Sequence, residues 1–301
     1  MNTAPQLGFL GFGEAAYHLA RGLRQEGVTS IAAYDINTNT PERGELIRRR
    51  AAETATRLVA SNAELAAAAN LILSTVTANQ ALAAAEQTLP HISARHTYAD
   101  LNSVSPALKR KIGEKIAAAG AKYVEVAVMA PVPPQGHKVP MLTGGVLARE
   151  LADMLAPFGM QIEVGSTEIG SAAATKMCRS IMIKGMEALI TECVLCATRY
   201  GADEPVLASL NKSFPGIDWP TLASYMISRV VVHGERRARE MEEVVETLRS
   251  SGVDSWMAEA TTKRMDWSVA LGLKARFEPD GPKTYREFAR VVAELQPPPE
   301  S

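Results

Sequence analysis

Gly11, Gly13 and Ala16 space out a G-x-G-x-x-A turn directly after an apolar run, Leu7 to Leu10, that reads as a buried strand. A turn of this kind suits the phosphates of a dinucleotide. The first glycine permits the tight turn and the second lets the backbone approach a pyrophosphate. The small third residue lets the next helix pack closely with its N-terminus aimed at the phosphates. Gly11, Phe12, Gly13, Glu14 and Ala15 are therefore the expected contact segment. Asp35 stands about 20 residues beyond the glycines, where such a fingerprint places an acid for the ribose hydroxyls. An aspartate there repels a 2′-phosphate, so NAD is expected in preference to NADP, with Arg43 and Arg48 to Arg50 as the cations that would serve a phosphate instead. The plain alternative for Asp35 is a residue that starts a turn.

Lys176 is the second chemical candidate. It ends the run Gly170-Ser171-Ala172-Ala173-Ala174-Thr175-Lys176, whose small side chains bring a helix start close to whatever packs on it. A helical lysine is ordinarily solvated, but Met177, Ile181 and Met182 make much of the neighbouring surface apolar. Lys184, two turns on, is the second candidate for proton transfer.

The elements that would position these residues follow from apolar periodicity. Glu14 to Gln25 reads as a helix and Ser30 to Tyr34 as a second strand. Leu71 to Val76, His96 to Leu101 and Tyr123 to Val128 read as further strands, with helices at Ala63 to Ala69 and Pro106 to Ala119 between them. Met141 to Thr143 and Gln161 to Val164 are expected to add strands around a helix from Leu147 to Ala156. This alternation predicts an α/β class: an N-terminal Rossmann-like doubly wound sheet over residues 1–168. Val76 and Thr77, at the end of one strand, join the expected cofactor contacts. From Ile169 the pattern changes. Ser171 to Arg199 contains no proline and one glycine, and residues 169–301 are expected to be an all-helical substrate and dimerisation domain, ending in a frayed tail from Pro297. Met182, Met186, Leu189 and Leu195 look too apolar to be covered by their own chain, which predicts a homodimer.

The chain has 301 residues, a formal net charge of -1 and three cysteines. Its scattered lysines and arginines offer no basic field for nucleic acid, so a small-molecule partner is expected. Cys178, Cys193 and Cys196 lie in helical sequence without zinc-site spacing and are expected to be reduced core residues. Neither a signal peptide nor an apolar stretch of about 18 residues is evident, so a soluble cytoplasmic protein without membrane contact is expected.

In several motifs the sequence resembles the β-hydroxyacid dehydrogenase superfamily, which includes 3-hydroxyisobutyrate and 6-phosphogluconate dehydrogenases. Leu7-Gly8-Phe9-Leu10-Gly11-Phe12-Gly13 is similar to the family's G-F-I-G-L-G start. Asp100-Leu101-Asn102-Ser103-Val104-Ser105-Pro106 resembles its D-x-S-[ST]-x-x-P substrate motif, with Asn102 in place of the first serine. Gly170 to Lys176 resembles its G-x-x-x-x-x-K catalytic segment, and Ala238-Arg239-Glu240-Met241 its A-K-D-L motif. The run Arg236 to Met241 also looks like a poorly characterised phosphogluconate-dehydrogenase-like subgroup with its own helical C-terminal domain. The resemblance implies nicotinamide-dependent oxidation of a carbinol, with Lys176 as general acid/base. It also implies that Asn102 and Ser103 orient the substrate and that Ser180 supports Lys176 or the substrate. Arg239 would meet a negative charge, although it equally reads as part of a solvated charged helix face.

Two departures bear on the substrate. Met129-Ala130-Pro131 replaces the family's S-G-G, and Ser180 replaces the asparagine four residues after the lysine. A hydroxyl and two close-approach glycines are lost, so these residues imply a bulkier or more apolar substrate than a small hydroxyacid. His137, on the loop from Pro131 to Pro140, is a lesser substrate candidate. Two other functions compete: an imine reductase, whose relatives generally carry aspartate or tyrosine where Lys176 stands, and a nicotinamide-binding sensor without turnover.

Overall fold

The computed structural model describes residues 5–296, so the tail expected to fray from Pro297 lies outside the described residues. The chain divides into two compact units, the first through Lys176 and the second from Met177.

The first unit is built on one sheet of eight strands: β1 (Leu7–Leu10), β2 (Ile31–Tyr34), β3 (Arg57–Leu58), β4 (Leu71–Ser74), β5 (Thr97–Asp100), β6 (Lys122–Val128), β7 (Met141–Gly144) and β8 (Ile162–Ser166). Their order across the sheet is β3-β2-β1-β4-β5-β6-β7-β8. Strand order reverses between β1 and β4, both of which run parallel to their neighbours, so a ligand crevice opens at their carboxyl ends. β6 and β7 pair antiparallel, which the sequence pattern did not indicate. Residues 129–140 between them hold no crossover helix long enough to return the chain to the starting edge, so β7 turns straight back.

Both faces of this sheet are covered. Helices α1 (Glu14–Gln25), α2 (Gly44–Glu53) and α7 (Ala148–Leu155) share one core with Leu7 and Phe9 of β1, through residues such as Leu19, Ile47 and Leu151. Helices α3 (Asn62–Ala68), α4 (Ala81–Thr88) and α5 (Pro106–Ala118) share the other with Ile72 and Tyr98, through Leu65, Ala81 and Ile112. Each leucine buried in this way contributes about 1.5–3 kcal/mol. The short β3, α2 and α4 had no clear signal in the sequence, because their apolar residues are few and are buried only against the elements already in place. A one-turn helix, α6 (Val132–Gln135), follows β6.

The second unit is helical throughout its described length. It comprises most of α8 (Ser171–Arg199), then α9 (Asp203–Ser213), α10 (Trp219–Ser250), α11 (Trp256–Ala270), α12 (Leu273–Arg276) and α13 (Tyr285–Leu295). Asp218 starts α10 by accepting from the Thr221 amide at 3.2 Å, with Pro220 in the first turn where its missing N–H costs nothing. Arg249 meets Glu259 and Arg239 meets Asp266, so α10 and α11 run antiparallel. Gly234 lets them close up, since a Cβ there would lie 3.2 Å from the Met265 carbonyl. No helix of the described residues is long and apolar enough to cross a membrane.

Two sequence expectations are corrected by the packing of α8. The cysteines are not core residues: Cys178 and Cys196 are exposed and Cys193 is half-buried, because the buried side of the helix is set by Met177, Ile190 and Val194. Met182 and Leu189 are open as expected, at 64% and 54% exposure. Met186 and Leu195 are half-buried instead, with Leu195 packed on the core of its own unit.

At the carboxyl edge of the sheet lies a buried ion pair. Lys109 of α5, 1% exposed, places Nζ 3.0 Å from Asp100 Oδ1 and donates to the Asp100 carbonyl at 2.7 Å. Removing one member of such a pair leaves the other charge uncompensated. Lys109→Met is therefore expected to lower the unfolding free energy by about 3–5 kcal/mol. Urea unfolding measures this, and a loss below about 1 kcal/mol would show that Asp100 is stabilised by its other donors alone.

Candidate functional site

The glycine turn sits where strand order reverses. Gly11 has φ +87°, and a Cβ on it would lie 2.9 Å from Val76 and 3.0 Å from the Thr75 carbonyl, so both backbone freedom and close approach require glycine. Gly13, which begins α1, is different. A Cβ there would meet nothing within 4 Å, so the backbone faces open space at the helix N-terminus. This is the cradle a pyrophosphate needs, and its open backbone suits a dinucleotide.

Phe12 contributes only backbone to this turn, because its ring is buried edge-on against Phe9. Its amide donates to Asp35 Oδ2 at 2.7 Å, and Asn37 donates its amide to Asp35 Oδ1 at 2.8 Å. The aspartate thus ties the turn to the end of β2; Oδ1 also accepts from Asn37 Nδ2 at 3.2 Å, so Oδ2 is the oxygen that keeps a second lone pair for a ribose hydroxyl. Glu14 is exposed and Ala15 half-buried at the start of α1. Val76 and Thr77 follow β4 beside Gly11, fixed by Thr75, whose hydroxyl donates to the Gly11 carbonyl at 2.8 Å. Among the arginines, Arg48 is occupied with the Thr38 carbonyl at 2.6 Å.

The substrate motif occupies the neighbouring strand ends. Ser74, Asp100 and Glu125 are in register across β4, β5 and β6, forming a polar row at the carboxyl edge. Asp100 Oδ1 accepts the Asn102 amide at 2.9 Å, and Oδ2 accepts the Tyr123 hydroxyl at 3.1 Å. Burial and the Asp100 charge hold the Tyr123 hydroxyl well above its ordinary pKa, so it stays a donor. Asn102 is buried. Its Nδ2 donates to Ser74 Oγ at 2.9 Å, which leaves Oδ1 buried with no hydrogen-bond partner among the described residues. Ser103 is half-buried beside it, and Ser105 starts α5 by accepting from the Leu108 amide at 3.4 Å.

The same edge anchors the segment that carries Lys176. Gly170, with φ +100°, lies against α5: a Cβ there would be 2.6 Å from Arg110 and 3.2 Å from the Pro106 carbonyl. Ala172 and Ala173 are buried, and the Ala172 amide donates to Glu125 Oε1 at 2.9 Å. The small residues before the lysine therefore serve close packing on the helix that follows the Asn102–Ser103 loop. Lys176 itself is half-buried in the second turn of α8, and Ser180 lies one turn further along the same face.

Sequence reasoning missed Lys109, Tyr123 and Glu125. A signal existed for one of them, since Glu125 interrupts the apolar strand run Tyr123-Val124-Glu125-Val126, where an acid needs a buried partner. Nothing in the pattern marks Lys109, whose partner lies nine residues away on another element.

Other candidates are drawn elsewhere. Met129 is half-buried with its amide donating to the Pro140 carbonyl at 2.9 Å, Ala130 packs partly on the sheet core, and Pro131 is exposed. His137 is buried against Gly22, with Nε2 3.4 Å from the Glu26 carboxylate, near the end of α1 remote from the glycine turn. Burial lowers its pKa, and its ring packs on the Gly22 backbone. In the second unit Lys184 is buried and paired with Glu240 at 2.8 Å, and burial lowers its pKa against the pull of that carboxylate. Glu187 and Arg237 form a second buried pair at 2.8 Å, with burial pushing Glu187 up to about 7. Arg239 is exposed and already held by Glu242 and Asp266, so a substrate role for it requires exchange of those pairs.

Comparison with known proteins agrees with this geometry. The family described as the NAD binding domain of 6-phosphogluconate dehydrogenase matches residues 6–134, and a domain of unknown function, DUF1932, matches residues 197–268. A conserved hypothetical protein from Sinorhizobium meliloti 1021 is 38% identical, with 98% of this chain and 97% of that one covered at a TM-score of 0.80. The conserved protein MTH1747, of unknown function and described as structurally similar to 3-hydroxyacid dehydrogenases, is 30% identical over 89% of this chain and 98% of its own, at a TM-score of 0.73. Mitochondrial 3-hydroxyisobutyrate dehydrogenase from Drosophila melanogaster is 27% identical over 222 residues, 72% of this chain and 65% of that one. A nucleotide cradle at the strand reversal, joined to a helical unit in relatives matched along nearly their whole length, places this chain in the β-hydroxyacid dehydrogenase superfamily.

Proposed function

We propose that the protein is a nicotinamide-dependent oxidoreductase acting on a carbinol, with NAD as its cofactor and Lys176 as general acid/base. The observation that carries this is the packing of Gly170, six residues before Lys176, onto Pro106 at the start of α5, immediately after the Asn102–Ser103 loop. Residues 1–168 hold the dinucleotide through the backbone of Gly11 to Ala15, the Asp35 carboxylate, Val76 and Thr77. Residues 169–301 supply substrate and subunit contacts.

A bound nicotinamide supplies the hydride exchange, so the chain itself must bind, orient and move one proton. Lys176 takes the hydroxyl proton when the substrate is oxidised and returns it on reduction. Asn102 Oδ1, a buried acceptor with no partner among the described residues, receives a hydrogen bond from the substrate. Ser103 and Ser180 offer hydroxyls that donate or accept as the charge on oxygen changes. Met129, Ala130 and Pro131 shape a pocket more suited to a bulky or apolar alcohol than to a small hydroxyacid, because methionine fills space without offering a useful donor.

Lys176→Ala is expected to lower kcat/KM by about two orders of magnitude, within the range ascribed to general acid/base groups, with NAD affinity near wild type. Calorimetry of NAD binding is the control. Retention of more than a tenth of the activity would move the proton-transfer role to Lys184.

A turnover panel of both nicotinamide cofactors against hydroxyacids, bulky alcohols and imines tests cofactor and substrate together. The charge on Asp35 predicts an NAD preference of roughly tenfold to a hundredfold. The bulky alcohols should exceed 3-hydroxyisobutyrate and 6-phosphogluconate, with Met129→Ser narrowing the gap. An NADP preference, or small hydroxyacids turned over as well as the bulky set, would overturn the corresponding claim. Turnover confined to imines would favour the imine reductase, and none at all the sensor.

The exposed stripe Cys178, Met182, Leu189 and Cys196 on α8 supports a homodimer joined along this helix. Sedimentation at micromolar concentration should show a dimer, and a single monomeric species would contradict it.

A further inference from the structure

We propose that Glu125 is the positioning residue that fixes the first turn of α8 and thereby the placement of Lys176, an inference that rests on Lys176 being the acid/base. No sequence motif marks Glu125, and it has no part in the proton transfer. Glu125 is fully buried in β6, and its Oε1 accepts the Ala172 amide at 2.9 Å, one of the helix-start donors that the helix itself cannot satisfy. The amides of Gly170 and Ala173 also favour its charged form, as does the Lys109 ammonium, although burial is the larger influence and raises its pKa. A carboxylate at this end also opposes the positive end of the helix macrodipole.

Neighbouring residues make room for this one contact. In the strand register Glu125 faces Gly144 of β7, and a Cβ on Gly144 would overlap the carboxylate. Among the described residues no other side chain is shown accepting from the first-turn amides of α8. Gly170, just before the helix, carries none, and Ser171 turns its hydroxyl back to the Glu168 carbonyl at 2.9 Å. Ala172 is four residues, about one turn, before Lys176, so loosening the first turn displaces the lysine by the same hinge. Glu125 Oε2 has no partner among the described residues, so only Oε1 is needed for the cap and glutamine can replace it.

Amide hydrogen exchange across residues 168–176, read alongside steady-state kinetics, tests the proposal without depending on the substrate for its first measurement. In Glu125→Ala the exchange of this segment should rise by about tenfold or more, while β1 stays protected. kcat should fall by about tenfold with the KM for NAD unchanged within about twofold, because the dinucleotide cradle does not share the contact. Glu125→Gln should restore both to within about threefold, since its amide oxygen still accepts from Ala172. Gly144→Ala, which displaces the carboxylate while leaving it present, should reproduce the Glu125→Ala pattern. Unchanged exchange in both Glu125→Ala and Gly144→Ala overturns the proposal with the Lys176 assignment intact. So does a parallel loss of NAD affinity and kcat, the mark of general damage. A fully active Lys176→Ala variant would instead remove the acid/base assignment, and with it the catalytic consequence claimed for Glu125, whatever the exchange result.

Discussion

Everything at the carboxyl edge of the sheet depends on the burial of one charge, the Asp100 carboxylate. An isolated ionised acid in that position would be costly, and it is tolerated because Lys109 lies 3.0 Å away while the Asn102 amide and the Tyr123 hydroxyl donate to it. Those three donors come from α5, the loop after β5, and β6. Satisfying one aspartate therefore fixes the relative positions of three segments, two of which carry the motif resembling a substrate site.

The same logic extends along the strand ends. Ser74, Asp100, Glu125 and Gly144 follow one another in register, and each is polar or lacks a side chain in a sheet whose buried positions are mostly apolar. Ser74 holds Asn102 by its amide nitrogen and turns the amide oxygen into a buried acceptor without a partner among the described residues. Glu125 reaches the first turn of α8. Buried polar rows of this kind specify position more than they add stability, because each member has few alternative partners once water is excluded.

The second unit uses a comparable device between α8 and α10. Glu187 with Arg237 and Lys184 with Glu240 place two ion pairs inside a helical core otherwise built from residues such as Ile190, Val194, Ile227 and Phe288. Glu187 is pushed up to about 7 by burial despite its arginine. As its pKa exceeds the unfolded value, its ionisation weakens the folded state as pH rises from the ordinary carboxylate range through neutrality. The pairs fix the register of two long helices at some cost in desolvation.

The sequence alone determined the repetitive and the local. The alternation of apolar runs gave the parallel strands β1, β2, β4, β5 and β6, and the glycine spacing located the cradle, because a tight turn between strand and helix leaves its mark within a few residues. Gly170 and the alanines after it signalled close packing for the same reason. Tertiary structure decided what distance in the chain conceals. It turned β7 antiparallel, set the cysteines of α8 outside the core, committed His137 to Gly22 and Glu26, and brought Lys109 and Glu125 beneath the motif. Periodicity can tell which face of an element is apolar, but the partner of a buried charge is chosen by strand order and register. Those arise only once the whole sheet has closed its contacts.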